Sequence, residues 1–134
     1  MISVIWGPYA WKFLEAVVLE YPNCPTVVDK QNMHEFIVVF GRNLPCVKCR
    51  DHFKKFIEGN PIVLDSKKDL LIWVIDLHNS VNKELGKPVL THEDALTKIL
   101  QKNNHNYKNI IIGILVLIIV FLILFFSSCR INTI

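Results

Sequence analysis

Along residues 1–100, apolar positions recur three and four apart, the period of an amphipathic helix. Pro8 is expected to open a first helix after a Trp6-Gly7 turn, with Trp11, Leu14, Val18 and Tyr21 on one side. Residues 21–26 hold two prolines and read as a loop. Asp29 reads as the cap of a second helix, which puts Met33, Phe36, Ile37 and Phe40 at core spacing before residues 41–45 end it. A third helix turns Phe53, Phe56 and Ile57 inward and stops at Gly59-Asn60-Pro61. The fourth and longest, residues 66–85, carries the stripe Leu70, Val74, Leu77, Val81, Leu85, with Gly86 as its C-terminal cap. Thr91-His92-Glu93-Asp94 has the form of a capping box, with Asp in the Glu position, opening a short fifth helix with Leu96, Ile99 and Leu100. Residues 62–64 alone look strand-like and are too few. The expected fold class is all-α: a four-helix bundle plus a short fifth helix.

The pattern changes at residue 110. Residues 110–126 are apolar with Gly113 as the one interruption, and Ser127, Ser128 and Cys129 extend the run to spanning length. A buried core helix of that length would keep a polar face. The expected domains are therefore a helical domain at 1–102, a polar, Asn-rich linker at 103–109, and a C-terminal transmembrane helix at 110–129. The position at the C-terminus excludes a secretory signal. Lys102 and Lys108 precede the run, with His105 between them, and Arg130 alone follows. That bias places the domain on the cytosolic side of a single-pass membrane protein.

Composition narrows the classes. The chain has 134 residues, 51% hydrophobic, with net charge +3, which excludes a disordered chain. Lys and Arg are interleaved with acids and form no basic stripe, so no nucleic-acid partner is expected.

The candidate chemistry lies in Pro45-Cys46-Val47-Lys48-Cys49. Two intervening residues at a helix start bring two sulfurs within bridging range. The helix N-terminus, with Lys48 and Arg50, favours thiolate. Cys46 is expected to be open and Cys49 inward, the arrangement that passes electrons from outside to something buried. From spacing alone, other readings stay open: a zinc site using Cys46, Cys49 and His52, a thioredoxin-type motif without its βαβ context, or two inert thiols. Cys24, in the loop after the first helix, reads as a free thiol with a shuttle role as the alternative, and for Cys129 palmitoylation or pairing with another chain stays open. His78 and Asn82 share a face of the fourth helix, with Asn79 beside it. They suit a polar clamp for a planar ligand, which Trp6, Trp11 and Trp73 would also accommodate. No GxGxxG motif accompanies them, so Rossmann-type dinucleotide binding is not expected.

Three blocks in order resemble the Erv/ALR family of FAD-linked sulfhydryl oxidases: Trp6-Gly7-Pro8-Tyr9-Ala10-Trp11, then Leu44-Pro45-Cys46-Val47-Lys48-Cys49-Arg50-Asp51-His52, then the run from His78 through Asn79, Asn82, Leu85, Gly86 and Lys87 to Pro88. The resemblance implies a cone-shaped bundle with FAD at its mouth beside the CxxC. Cys49 matches the cysteine next to the flavin ring, and Cys46 the interchange cysteine that accepts electrons. Trp11, His78, Asn79, Asn82 and Lys87 match FAD-binding positions, and Trp73 has a counterpart in some members. The implied reaction oxidises two thiols to a disulfide and reduces oxygen to hydrogen peroxide. The implied partners are a protein dithiol or a thioredoxin-like relay protein, and a second copy in a homodimer. No metal is implied.

The chain departs from the family at Glu15, where a histidine touching FAD is common. It also lacks the distal cysteines and the tryptophan of the last short helix. Both losses resemble the short members of large cytoplasmic DNA viruses, which oxidise virion membrane proteins through cytosolic pathways. Two alternatives remain at this stage: a tail-anchored adaptor with a decayed flavin site, and a small metal-binding module.

Overall fold

The computed structural model describes the backbone of residues 3–131 and the side chains of residues 5–101 and 108–124. Five helices follow one another: α1 (Ser3–Leu19), α2 (Val27–Arg42), α3 (Val47–Gly59), α4 (Lys67–Glu84) and α5 (His92–Ile131). By internal contacts the chain forms two units, Met1–Leu96 and Thr97–Ile134.

In the first unit α1 packs on α4, α4 on α3, and α3 on α2. The core holds Leu14 and Val18 of α1, Ile37 of α2, Phe53 of α3, and Leu70, Leu71, Trp73, Val74 and Leu77 of α4. Leu14, Val18, Ile37, Leu70 and Leu77 have no exposed surface. Side chains of this kind each contribute about 1.5–3 kcal/mol when fully buried. Met33, Phe36, Phe40, Phe56, Ile57 and Leu96 pack against this core at its margins, as their spacing predicts. Val81 is half-buried and Leu85 is exposed, so the α4 stripe leaves the core before the helix ends. Tyr21 closes the α1–α2 loop by donating its hydroxyl to the Leu64 carbonyl at 3.0 Å.

Two helix starts differ from the sequence expectation. α1 begins at Ser3, and Pro8 lies inside it. A proline one turn into a helix costs a single ladder bond, to the carbonyl of residue 4, because the earlier N–H groups have no intrahelical partner in any case. α2 is capped by Thr26 rather than Asp29. Thr26 Oγ1 accepts from the Asp29 N–H at 3.2 Å, and Asp29 Oδ2 accepts from the Thr26 N–H at 2.8 Å. Asp29 is therefore the third-position partner of a capping box. Thr91 caps α5 as expected, and Ser66, the expected first residue of α4, is its N-cap. Gly86 follows α4 at φ +65°, the left-handed conformation that glycine adopts without steric cost.

In the second unit the backbone of residues 97–131 is helical. The expected linker at 103–109 is thus helix, and the short fifth helix and the tail belong to one element, α5. Polar residues such as Gln101 and Lys102 have adequate helix propensity, and neither Gly nor Pro falls between residues 92 and 112. Among the described residues, no helix is long and apolar enough to cross a membrane. The described apolar side chains, Ile110–Leu124, would span only about 22 Å of the ~30 Å hydrocarbon core. Residues 125–129, including Cys129, lie outside the described side chains.

Candidate active site

The α2–α3 connection delivers the cysteines. Asn43 ends α2, and Pro45 lacks the N–H that would extend it. Cys46 takes the N-cap position of α3 with extended φ −108° and ψ 123°. Its sulfur accepts the Cys49 backbone N–H at 3.3 Å, filling the role a serine oxygen usually has. Both cysteines are half-buried thiols in this structure.

The two sulfurs differ electrostatically, and the thiolate expected of a helix start falls on Cys46 and not on Cys49. The Cys49 side chain donates its thiol proton toward Cys46. That bond, with the helix N–H groups of Cys49 and Lys48 and the Arg50 charge, holds the Cys46 thiol below its ordinary pKa. Burial, the same bond, and the neighbouring negative groups push Cys49 up to about 11. A reduced pair therefore carries its first negative charge on Cys46.

His52, one turn beyond Cys49, ties α3 to α4. Its Nδ1 lies 2.6 Å from Glu84 Oε2, and its Nε2 lies 2.9 Å from Ser80 Oγ. Ser80 donates its own proton to the Leu77 carbonyl, so it accepts from His52. Both ring nitrogens are thus committed away from the sulfurs. Among the described residues, no group of three or more His, Cys, Asp or Glu gathers as a metal site would require.

The other side of α4 faces α1. The His78 and Trp11 rings stack at 4.0 Å with 7° between their planes, and Glu15 Oε1 lies 3.9 Å from His78 Nδ1. Both rings remain part-exposed, leaving flat aromatic surface open at the α1–α4 face. Asn82 is half-buried one turn further on, and its carbonyl accepts the Lys87 N–H at 2.8 Å, which fixes the turn bearing exposed Lys87. Planar aromatic faces, an amide and a cation are the chemistry a flavin nucleotide requires of its host, so the residues present fit FAD.

Two expected cofactor residues, Trp73 and Asn79, have hydrogen-bond partners within the protein. Trp73 is buried in the core, edge-on to Phe56, and donates its indole N–H to the Asn60 carbonyl at 3.1 Å. Its position beside Val74 and four before Leu77 on α4 explains that placement. Asn79 clamps the loop before α5: its amide donates to the Leu90 carbonyl at 2.8 Å and accepts the Leu90 N–H at 3.1 Å. Sequence reasoning missed Ser80 and Glu84. The signal was present, because the two lie four apart on α4, on the face opposite His52.

Residues 8–104 match the Erv1/Alr family. A probable FAD-linked sulfhydryl oxidase of Acanthamoeba polyphaga mimivirus is 40% identical over 97 residues, covering 70% of this chain and 68% of that protein. The FAD-linked sulfhydryl oxidase of African swine fever virus (isolate Pig/Kenya/KEN-50/1950) is 31% identical over 64% of this chain and 72% of its own. The FAD-linked sulfhydryl oxidase ERV1 of Arabidopsis thaliana is 36% identical, and the match spans only 46% of its length. The crystal structure of the yeast Erv1 core superposes with a TM-score of 0.66 at 33% identity, over 69% of this chain and 78% of that one. With the family match over residues 8–104 and the likeness to the yeast Erv1 core in fold, the chain belongs to the Erv1/Alr family.

Proposed function

We propose that the chain is an FAD-linked thiol oxidase that makes disulfides in protein substrates and passes the electrons to oxygen, giving hydrogen peroxide. The observation that carries this reading is the Cys46–Cys49 pair at the start of α3, where the Cys46 sulfur caps the helix by accepting the Cys49 N–H at 3.3 Å, with the Cys46 thiol held low and Cys49 pushed up to about 11. A substrate thiolate attacks Cys46 Sγ in the oxidised pair, and the Cys46–Cys49 bond breaks with its electrons on Cys49. A second substrate thiolate then attacks the substrate sulfur, and Cys46 departs as thiolate. The substrate has lost two electrons, and the pair has gained them. A thiol of low pKa is the better leaving group, which suits Cys46 to this step. FAD supplies the acceptor that returns the pair to the disulfide. Trp11, His78, Asn82 and Lys87 are the residues that would hold it. The substrate is a protein dithiol or a thioredoxin-like relay protein.

Cys49→Ser is expected to retain FAD and lose dithiol-dependent oxygen uptake to background. Ordinary uptake by that variant, followed with an oxygen electrode, would sink the assignment.

We assign residues 110–129 to a membrane anchor, with residues 1–102 on the cytosolic side. The support is an apolar helix whose described side chains, from Ile110 to Leu124, are each 45–70% exposed. We also assign a homodimer to the α1–α2 face. There Trp6, Tyr9, Phe13, Phe36, Val39 and Phe40 line an open pocket of about 500 Å³, and Tyr9 is 70% exposed. Trp6 Nε1 is the buried side-chain polar atom without a partner among the described residues. Phe13→Glu should convert a sedimenting dimer into monomer. A wild-type chain that sediments as monomer rejects this assignment.

A further inference from the structure

Arg50 lies one turn beyond Cys46 and reaches back across it. Its backbone N–H donates to the Cys46 carbonyl at 3.0 Å, and its guanidinium Nη1 donates to the Leu44 carbonyl at 2.6 Å. One residue thus holds both sides of Pro45, which has no N–H of its own to anchor the turn. The side chain is half-buried, and with its guanidinium held on the Leu44 carbonyl its charge is the last of the influences that keep the Cys46 thiol low.

We propose that Arg50 is a positioning residue for Cys46: it clamps the Leu44-Pro45-Cys46 turn and keeps a fixed positive charge where the departing Cys46 sulfur collects its electron pair. This rests on the thiol-oxidase reading and deepens it. In the resolving step the second substrate thiolate forms the substrate S–S bond. The bond from substrate sulfur to Cys46 breaks, and both its electrons go to Cys46 Sγ. A rigid cation there lowers the energy of that thiolate, and a planar guanidinium can bond the carbonyl at the same time. The groups acting on the pair are Cys49, Lys48 through its N–H, and Arg50 on α3, with Glu84 from α4 acting on Cys49. Arg50 is one of several influences, so its removal should move the sulfur modestly.

The test uses the full chain in detergent, reduced and then treated with iodoacetamide across pH, with mass spectrometry of the Cys46 peptide. Arg50→Gln should shift the Cys46 alkylation profile up by about half a unit, slowing alkylation about threefold on the acid limb. Arg50→Lys, which keeps the charge, should restore most of that shift. If Arg50→Gln does not fold, Arg50→Met, with an apolar stem, carries the same expectation. A wild-type chain that oxidises dithiol while its profile overlies that of the charge-free variant overturns this proposal alone. A wild-type chain that passes no electrons from dithiol to flavin overturns the thiol-oxidase reading and this proposal with it.

Discussion

With Cys49 donating its thiol proton toward Cys46, selectivity at the reduced pair follows from position, since the two residues are chemically identical. Cys46 keeps its thiolate at pH values where an ordinary thiol is protonated, whereas Cys49 gives its proton up only near pH 11. Iodoacetamide at pH 8 should therefore label Cys46 first, with Cys49 following as the pH approaches 11. Equal labelling, or Cys49 labelled first, contradicts the assigned environments. The CxxC at the start of α3 was legible, because helix spacing is a local property, but the expected contrast of an open Cys46 and an inward Cys49 is not seen, since both are half-buried. The commitments of His52 and Asn79 were not legible, because each depends on a residue from another element. Asn79→Ala removes both bonds to Leu90 and leaves that part-buried N–H and carbonyl unpaired. It should cost about 1–3 kcal/mol in urea unfolding, and an unchanged midpoint would reject the clamp.

Helix order and core faces followed from periodicity, and the ends followed where the sequence carried a local signal, a left-handed glycine at Gly86 and a capping box at Thr91. The start of α1 was obscured by Pro8, which looks like a first residue but stands one turn inside. The start of α2 was obscured because Thr26 precedes two valines, so Asp29 drew the cap assignment that belongs to its partner. Gly41 was read only as part of a helix end, yet it is buried on α2 where Phe53 of α3 crosses. A Cβ at Gly41 would overlap the Phe53 ring, and no flexible chain end lies there to yield. Gly41→Ala should destabilise the protein by about 1–3 kcal/mol, read as a lower urea midpoint with unchanged slope. A neutral result would show that α2 and α3 are not in such close contact.

Across the whole chain, hydropathy separates residues 1–109 from a tail that buries none of its described apolar side chains. The continuation of helix through 103–109 was not legible, because a polar, Asn-rich stretch reads equally as linker or exposed helix. If the tail is an anchor, the full chain should float with liposomes through a density gradient, and a chain ending at residue 109 should stay at the bottom. Equal behaviour of the two would reject the anchor. The reading as a flavin-linked oxidase rests on the Cys46–Cys49 pair at the start of α3, with the stacked Trp11 and His78 rings as the aromatic surface that would take the flavin. The most direct test is the visible absorbance of the purified full chain in detergent. A bound-flavin spectrum that bleaches with dithiol under anaerobic conditions and returns with air is the predicted result. A folded, helical chain that is colourless and cannot be loaded with FAD would contradict it.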